Sequence, residues 1–132
     1  MAAKDAPVVL VTGDLSFLYD MNALCIKYIP NNFRIIIINN QGGGIFKILP
    51  GYKKNSIFSE YIETKHNYSA YNLAKMFNFK YYSVSTKFGL NFALATFFNR
   101  SNKPKILEIK TNSDKSEKIL KEYFKYLSKS EK

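Results

Sequence analysis

FRIIIINNQGGG, residues 33–44, is the stretch that decides the fold of this chain. Apart from Arg34, residues 33–38 are continuously apolar, and a polar run then ends them. A strand with one solvent-facing side alternates polar and apolar residues, whereas a strand of a parallel sheet is covered on both faces. The stretch therefore predicts a buried strand of a parallel sheet, with Asn39 and Asn40 at its carboxyl end.

Strands and helices are predicted to alternate on both sides of this strand. Further apolar or β-branched runs predict strands at residues 7–12, 79–84 and 105–109. Apolar residues recur three and four positions apart in helices expected within residues 14–29, 69–77, 87–99 and 116–127. This order predicts an α/β fold of Rossmann-like type, with a parallel sheet, right-handed crossovers and helices on both faces.

The connection after the 33–38 strand is expected to be irregular. Residues 45–66 carry a Pro-Gly pair and scattered lysines, and we expect a long loop with at most one helical turn. Glu60 and Glu63 are expected in a solvated turn, and His66 on an exposed loop. A loop of this length inside a domain is usually functional.

The apolar faces of the first and last helices are expected to pack inward. Cys25 falls on the apolar face of the first helix with Met21, Leu24, Tyr28 and Ile29, and is expected in the core. The last helix has a similar face, formed by Ile119, Leu120, Tyr123, Phe124 and Leu127. That face is expected in the core as well, or, in a truncated domain, on a partner surface.

Length and composition indicate one domain, spanning residues 1–132. Hydrophobic residues make up 46% of the chain, enough for a core. A single cysteine excludes an internal disulfide and fits a reducing, cytoplasmic setting. No apolar run approaches the roughly 20 residues that span a bilayer. The opening residues are short and polar, unlike a signal peptide, and suggest a domain cut from a longer protein.

The formal net charge of +10 does not indicate a nucleic-acid-binding protein. Only Arg34 and Arg100 are arginines, and arginine is the residue that reads bases and phosphates by paired hydrogen bonds. The lysines are scattered, as on a solvated surface. A basic nucleic-acid module stays open as a minor alternative, which would show steeply salt-dependent binding.

A carboxylate and a carboxamide are predicted at one edge of the sheet. Asp14 follows the first strand, and Asn40 ends the second. Because the carboxyl ends of parallel strands lie at one edge, where α/β sheets bind ligands, both side chains are expected there. Their oxygens suit a hard cation such as Mg²⁺, which usually shares its coordination sphere with substrate phosphates.

The neighbouring residues predict a diphosphate site beside that cation. Leu15 and Ser16 open the first helix, and the amide groups at a helix N-terminus favour an anion. The glycines at 42–44 allow positive φ angles and close backbone approach. Each stretch taken alone also fits ordinary cap and turn chemistry, so a non-catalytic α/β interaction domain stays open.

The two motifs resemble the signature of thiamine-diphosphate enzymes: a Gly-Asp pair after one strand and Asn-Asn at the end of the next. GDLSFLYDMNAL and NNQGGGIFKILP are more similar still to the carboligases of menaquinone biosynthesis within that family, and the match covers residues 8–50. Leu15, in place of the glycine common in the family, favours those carboligases. Gln41 stands where asparagine is familiar, and its neighbours carry the ligation.

The resemblance implies a role for each matched position. Mg²⁺, or Mn²⁺, would be bound by the side chains of Asp14 and Asn40 and by the backbone carbonyl of Gly42. Thiamine diphosphate would be bound by Asp14, Leu15, Ser16, Asn40, Gly42, Gly43 and Ile45. The substrates would lie against Ile45, Phe46 and Leu49, an apolar wall that keeps water from the reacting carbons.

The resemblance also implies an activity that this chain cannot complete alone. The enzyme would be a transferase that decarboxylates 2-oxoglutarate and adds the resulting carbanion to isochorismate. Its activating glutamate would come from an N-terminal domain of a partner subunit, and neither that domain nor well-placed arginines for dicarboxylates are found here. We therefore expect no catalytic residue in this chain, a homo-oligomer for the longer enzyme, and a fragment or subunit that is inactive alone. Another thiamine-diphosphate carboligase or decarboxylase stays open.

Overall fold

The strand that the sequence placed in a buried sheet lies inside a four-stranded sheet in the computed structural model, which describes residues 6–48 and 57–130. This strand, β2 (Phe33–Asn39), pairs with β1 (Val8–Gly13) on one side and with β4 (Lys105–Lys110) on the other. β3 (Lys80–Val84) pairs with the far side of β4. All pairings are parallel and the strand order is β1-β2-β4-β3, so the predicted parallel α/β fold is confirmed.

The described residues form two units. The first unit holds the sheet and consists of the chain up to Asn39 together with Tyr68–Lys110. The second consists of Asn40–Asn67 and the chain from Thr111 onward.

The helices are shorter than predicted, except the last. The α-helices are α1 (Asp14–Tyr19), α2 (Tyr71–Met76), α3 (Lys87–Phe97) and α4 (Ser113–Ser130). Two 3₁₀ helices cover Met21–Cys25 and Gly44–Ile48, and a π-helical turn covers Phe58–Ile62. α2 begins two residues after the start of its predicted range, and its N-cap residue is Ala70, not Ser69. The Ser69 hydroxyl accepts a hydrogen bond from the Tyr71 amide at 3.3 Å.

Successive residues of the central strands point to opposite faces of the sheet. Ile35, Ile37 and Ile106 lie in one apolar cluster, which Phe17 of α1 and Ala74 of α2 complete. A second cluster contains Leu107 with residues of α3, among them Ala93 and Phe97. Helices therefore cover both faces, which is why β2 and β4 can be apolar at neighbouring positions.

The long first helix predicted through Ile29 is wrong. The α-helix ends at Tyr19, a 3₁₀ turn follows, and Asp20 and Asn22 favour caps and turns over helix interiors. Once the chain leaves α-helical geometry, residues three and four apart no longer share a face. Only Leu24 of the predicted stripe is fully buried, and Cys25 is exposed, contrary to its predicted place in the core.

Arg34, the single polar residue inside β2, has a structural use. Its guanidinium is buried and donates hydrogen bonds to the carbonyls of Phe97 at 2.9 Å and Asn99 at 3.0 Å, at the end of α3. Lys105 is also buried and donates to the carbonyls of Thr96 and Asn99. The two cations therefore satisfy the carbonyls that a helix leaves free at its C-terminus. Burial lowers the pKa of both, and the charge of Arg34 lowers that of Lys105 further.

The apolar face of α4 is exposed. Ile119, Tyr123 and Phe124 each keep half or more of their surface in contact with solvent, so the predicted core packing of this helix is wrong. Its alternative, a surface available to a partner, remains open. Across residues 6–48 and 57–130, no helix is both long and apolar enough to cross a membrane.

Candidate functional site

Asp14 lies directly after β1 in the first unit. The strand ends at Gly13, which pairs with Ile38 of β2, so the two neighbouring strands end at the same edge of the sheet. The Asp14 side chain is 6% exposed, although it belongs to a residue type that is seldom buried. One of its carboxylate oxygens, Oδ1, accepts a hydrogen bond from the Leu15 amide at 2.8 Å. The first turn of α1 thus holds a buried carboxylate.

Leu15 and Ser16, the predicted diphosphate contacts, occupy the first turn of α1. Leu15 is half-buried and Ser16 is exposed. Ser16 borders a cavity of about 400 Å³ in the first unit, whose wall is mainly apolar and includes Leu10, Phe17 and Leu24. Since α1 has only six residues, its amide groups matter more for an anion than a summed helix dipole does.

Asn39 ends β2 and is buried, 3% exposed. Its side-chain amide donates a hydrogen bond to the Tyr68 carbonyl at 3.0 Å and a second one to a carboxylate oxygen of Glu108 on β4. Asn39 and Tyr68 are the residues that precede and follow the segment Asn40–Asn67. One side chain therefore holds the first unit together where the chain leaves it and where it returns.

Asn40 begins the second unit. Its side-chain oxygen, Oδ1, is buried and has no hydrogen-bond partner among residues 6–48 and 57–130. A buried acceptor without a partner costs roughly 1–3 kcal/mol, so such atoms usually have a role that the protein alone does not satisfy. Asn40 is the residue for which the sequence predicted ligation of a metal through this oxygen.

The turn after Asn40 keeps the backbone close to Glu63. Gln41 has a φ angle of 65°, in the left-handed region, and Gly42 has a φ angle of 158°, so one of the three glycines takes the positive φ that the sequence predicted. The glycines also give space. A Cβ atom at Gly42 or Gly43 would lie 3.0 or 3.2 Å from the Glu63 carbonyl, which accepts a hydrogen bond from the Gly43 amide at 2.6 Å.

The third glycine gives room to Asn40 itself. A Cβ atom at Gly44 would lie 2.7 Å from Nδ2 of Asn40, closer than real contacts of this kind. The Gly42 carbonyl, the third predicted metal ligand, accepts a hydrogen bond from the Gly44 amide at 3.0 Å. The Gly-Gly-Gly run is thus explained mainly by close packing around Asn40 and Glu63.

A buried ion pair fixes this turn inside the second unit. Nζ of Lys47 lies 2.6 Å from a carboxylate oxygen of Glu63, and their side chains are 5% and 3% exposed. Lys47 also donates a hydrogen bond to the Ser113 hydroxyl at 2.8 Å, where α4 begins. Burial pushes the pKa of Lys47 down, but the hydrogen bond and charge of Glu63 and the charge of Asp114 outweigh it, so the pKa is raised.

Two expectations about residues 45–66 are wrong. Glu63 is buried in the ion pair with Lys47 and not in a solvated turn, and His66 is buried and not on an exposed loop. The His66 amide donates a hydrogen bond to the Gln41 carbonyl at 3.2 Å, so this stretch packs back on the glycine turn. No local periodicity predicts such contacts.

The predicted site residues divide between the two units. Asp14, Leu15 and Ser16 belong to the first unit. Asn40, Gly42, Gly43, Ile45 and Phe46 belong to the second. Ile45 and Phe46 are 60% and 39% exposed, as residues that meet a ligand would be. Leu49, the third residue of the predicted substrate wall, lies outside the described residues.

Comparison with known proteins shows to which family the chain belongs. The family model described as thiamine pyrophosphate enzyme, C-terminal TPP binding domain, matches residues 1–109. The chain belongs to the thiamine pyrophosphate enzyme family. Thiamine pyrophosphate is another name for thiamine diphosphate, so the predicted family is confirmed.

The curated relatives share one name, and their sequences align with most of the length of this chain. The 2-succinyl-5-enolpyruvyl-6-hydroxy-3-cyclohexene-1-carboxylate synthases of Christiangramia forsetii and Flavobacterium johnsoniae are 46% and 48% identical over 95% and 92% of it. The synthase of Bacteroides fragilis is 38% identical over 89%. The chain spans about a fifth of the length of these synthases, 22% of each.

Proposed function

We propose that this chain is the part of a 2-succinyl-5-enolpyruvyl-6-hydroxy-3-cyclohexene-1-carboxylate synthase that binds the metal and the diphosphate of its cofactor. The family of the chain and the shared name of its relatives support this proposal. The single observation that carries it is the buried Oδ1 of Asn40, which has no hydrogen-bond partner within the described ranges and stands in the position where the motif requires a ligand.

The available donors fit Mg²⁺ or Mn²⁺. The proposed ligands are the Asp14 carboxylate, Oδ1 of Asn40 and the Gly42 carbonyl. All three donate through oxygen, which hard divalent cations prefer over nitrogen or sulfur. A cation would satisfy Oδ1 of Asn40 and repay the cost of burying it.

The cofactor supplies the chemistry that stabilises a carbanion after a 2-oxo acid loses CO₂. The residues of this chain hold and shield it. The first turn of α1 would hold the diphosphate: Ser16 would donate to it, and Leu15, whose amide donates to Asp14 in the free chain, would lie beside it. Gly43 would let the backbone approach the group. Ile45 would lie against the thiamine ring. With Phe46 and Leu49, it excludes water from the reacting carbons.

The complete enzyme transfers a succinyl unit. It decarboxylates 2-oxoglutarate and joins the product to isochorismate, as a step of menaquinone biosynthesis. The remaining domains of a longer protein supply the acid-base group and the residues that bind the substrate carboxylates. This chain is therefore inactive alone, and the working enzyme is a cytoplasmic homo-oligomer.

A chimera tests the proposal. The segment of the Flavobacterium johnsoniae synthase that aligns with this chain is replaced by this chain. We expect consumption of 2-oxoglutarate and isochorismate that requires thiamine pyrophosphate and Mg²⁺, and we expect it to vanish in Asp14→Ala. The isolated chain should show no turnover.

Two results would contradict the proposal. One is a folded chimera that binds thiamine pyrophosphate yet leaves isochorismate unchanged, which would indicate another enzyme of the family. The other is turnover by the isolated chain. Thermal unfolding of each chimera controls for misfolding.

A further inference from the structure

We propose that Glu108 is a positioning residue for the cofactor segment: through Asn39, it fixes the two ends of Asn40–Asn67, the segment that carries Asn40 and Gly42. This inference rests on the proposed function only in that it gives the segment a ligand to bind. The geometry that supports it lies wholly in the first unit.

Glu108 is a buried carboxylate in the middle of the sheet. It pairs with Ile37 of β2 on one side and with Ser83 of β3 on the other, and it is 1% exposed. Its neighbours on β4, Leu107 and Ile109, are apolar. A carboxylate at such a position is costly unless hydrogen bonds satisfy its oxygens.

The hydrogen bonds of this carboxylate connect three parts of the first unit. Oε1 accepts from the Asn39 side chain, while Oε2 accepts from the hydroxyls of Ser69, at 2.8 Å, and Tyr81. Burial raises the pKa of Tyr81, and its hydrogen bond to Glu108 raises it further, so the hydroxyl keeps its proton. Two of the three donors, Asn39 and Ser69, flank the cofactor segment in sequence.

Asn39 connects the Glu108 carboxylate to both ends of the segment. Its amide group has two hydrogens, one for Glu108 and one for the Tyr68 carbonyl. If Glu108 holds the amide in one orientation, the other hydrogen must point at Tyr68. The residue before the segment and the residue after it are then joined through one rigid group. Outer hydrogen bonds that orient ligand-bearing residues typically affect metal affinity.

The decisive comparison uses two substitutions in the same hydrogen-bonded group. Glu108→Met keeps the volume but removes the acceptor of Asn39, and with it that of Ser69 and Tyr81. Tyr81→Phe removes a hydrogen bond to the same carboxylate without touching Asn39, and is the matched control. Glu108→Gln is the conservative variant, because its amide oxygen can still accept from Asn39 while the hydroxyls of Ser69 and Tyr81 rotate.

The first measurement is amide hydrogen exchange in the 132-residue chain without ligand. The Gly43 amide, bonded to Glu63, and the His66 amide, bonded to Gln41, report on the segment, and the Leu90 amide of α3 is the internal reference. In Glu108→Met we expect the first two to exchange faster by about tenfold or more and Leu90 to be unchanged. Tyr81→Phe and Glu108→Gln should leave all three near the rates of the unchanged chain.

The second measurement is the affinity for thiamine pyrophosphate in the presence of Mg²⁺. Glu108→Met should weaken binding by about tenfold or more, with recovery in Glu108→Gln and little change in Tyr81→Phe. Equal exchange rates and affinities in Glu108→Met and Tyr81→Phe, at matched thermal stability, would overturn the inference. If the unchanged chain fails to bind, the proposed function is in question, and the exchange rates still decide the role of Glu108.

Discussion

Asn39 and Asn40 are adjacent in the sequence but differ in how their side chains are satisfied. The Asn39 amide donates to the Tyr68 carbonyl and to Glu108, whereas Oδ1 of Asn40 is buried with no hydrogen-bond partner in the described part of the chain. Asn39 stabilises the end of β2. Under the proposed function, Asn40 keeps this acceptor for the metal, at a cost to the free protein.

Substituting these two asparagines should therefore have opposite effects. Asn39→Ala removes the hydrogen bonds to the Tyr68 carbonyl and to Oε1 of Glu108, and we expect it to lower the free energy of unfolding by about 1–3 kcal/mol. Asn40→Ala removes an unsatisfied buried oxygen, so the free protein should be equally stable or more stable. Urea unfolding without ligand measures both. A destabilisation by Asn40→Ala as large as that by Asn39→Ala would contradict the role of Asn40 as a ligand held in reserve.

Gly44→Ala should separate folding from ligand binding. The added methyl group would meet only Nδ2 of Asn40, the end of a side chain that can rotate away, so the cost to stability should stay below about 1 kcal/mol. The rotation moves Oδ1 as well, and Mg²⁺-dependent affinity for thiamine pyrophosphate should fall. Gly13→Ala is the control for stability, because its added Cβ meets no atom within 4 Å. Unchanged affinity in Gly44→Ala would argue against Asn40 as a ligand.

Breaking the Lys47–Glu63 pair should lower the free energy of unfolding strongly, whereas replacing both residues with apolar ones should lower it little. Lys47→Met removes the buried partner of the Glu63 carboxylate and leaves it only the longer contact, 3.5 Å, with the exposed Lys65 among the described residues. We expect a loss of roughly 3 kcal/mol. Lys47→Met combined with Glu63→Met removes both charges and should recover most of that loss. Urea unfolding of the single and double variants forms the cycle. A double variant that is less stable than the single one would show that the pair contributes net stability.

The raised pKa of Lys47 predicts a loss of stability at high pH. An unfolded lysine has a pKa of about 10.4, and the folded value is higher, so the folded state binds the proton more tightly. The contribution of the pair is then fully present below about pH 10.4 and is lost as the pH rises through the folded pKa. The quantity to follow is the free energy of unfolding of the unchanged chain minus that of the double Met variant. We expect it to be constant near neutrality and to fall above that pH.

Comparing the unchanged chain with the double Met variant separates the titration of Lys47 from that of other groups. Tyr81, with a raised pKa, shifts stability in the same direction at high pH, and Lys105, with a lowered pKa, in the opposite direction. Because Tyr81 and Lys105 are present in both proteins, their contributions to the pH dependence cancel in the difference. A difference that does not change between pH 8 and the onset of alkaline unfolding would contradict the assignment.

The sheet could be predicted from sequence because its signals are local. The apolar run of β2 needs both faces covered, and the Asp14 and Asn40 motifs follow directly from where strands end. The early end of the first helix was missed because the apolar stripe through Ile29 outweighed the turn preferences of Asp20 and Asn22.

The contacts that hold the site could not be predicted in the same way. Asn39 and Asn40 are chemically identical, and the partners that distinguish them, Tyr68 and Glu108, lie 29 and 69 residues beyond Asn39. Lys47 and Glu63 meet across an irregular segment with no periodic pattern. Long-range hydrogen bonds and ion pairs depend on tertiary structure, and one sequence carries no signal for them.

The most direct test of the central claim is thermal unfolding of the chain with thiamine pyrophosphate and Mg²⁺, compared with Mg²⁺ and free pyrophosphate. A ligand that binds only the folded state at 100 times its dissociation constant stabilises it by about 2.7 kcal/mol. We predict an upward shift of the midpoint that requires both thiamine pyrophosphate and Mg²⁺ and is lost in Asp14→Ala and in Asn40→Ala. No shift in the unchanged chain, or an equal shift in the two variants, would contradict the claim that these residues form a cofactor site.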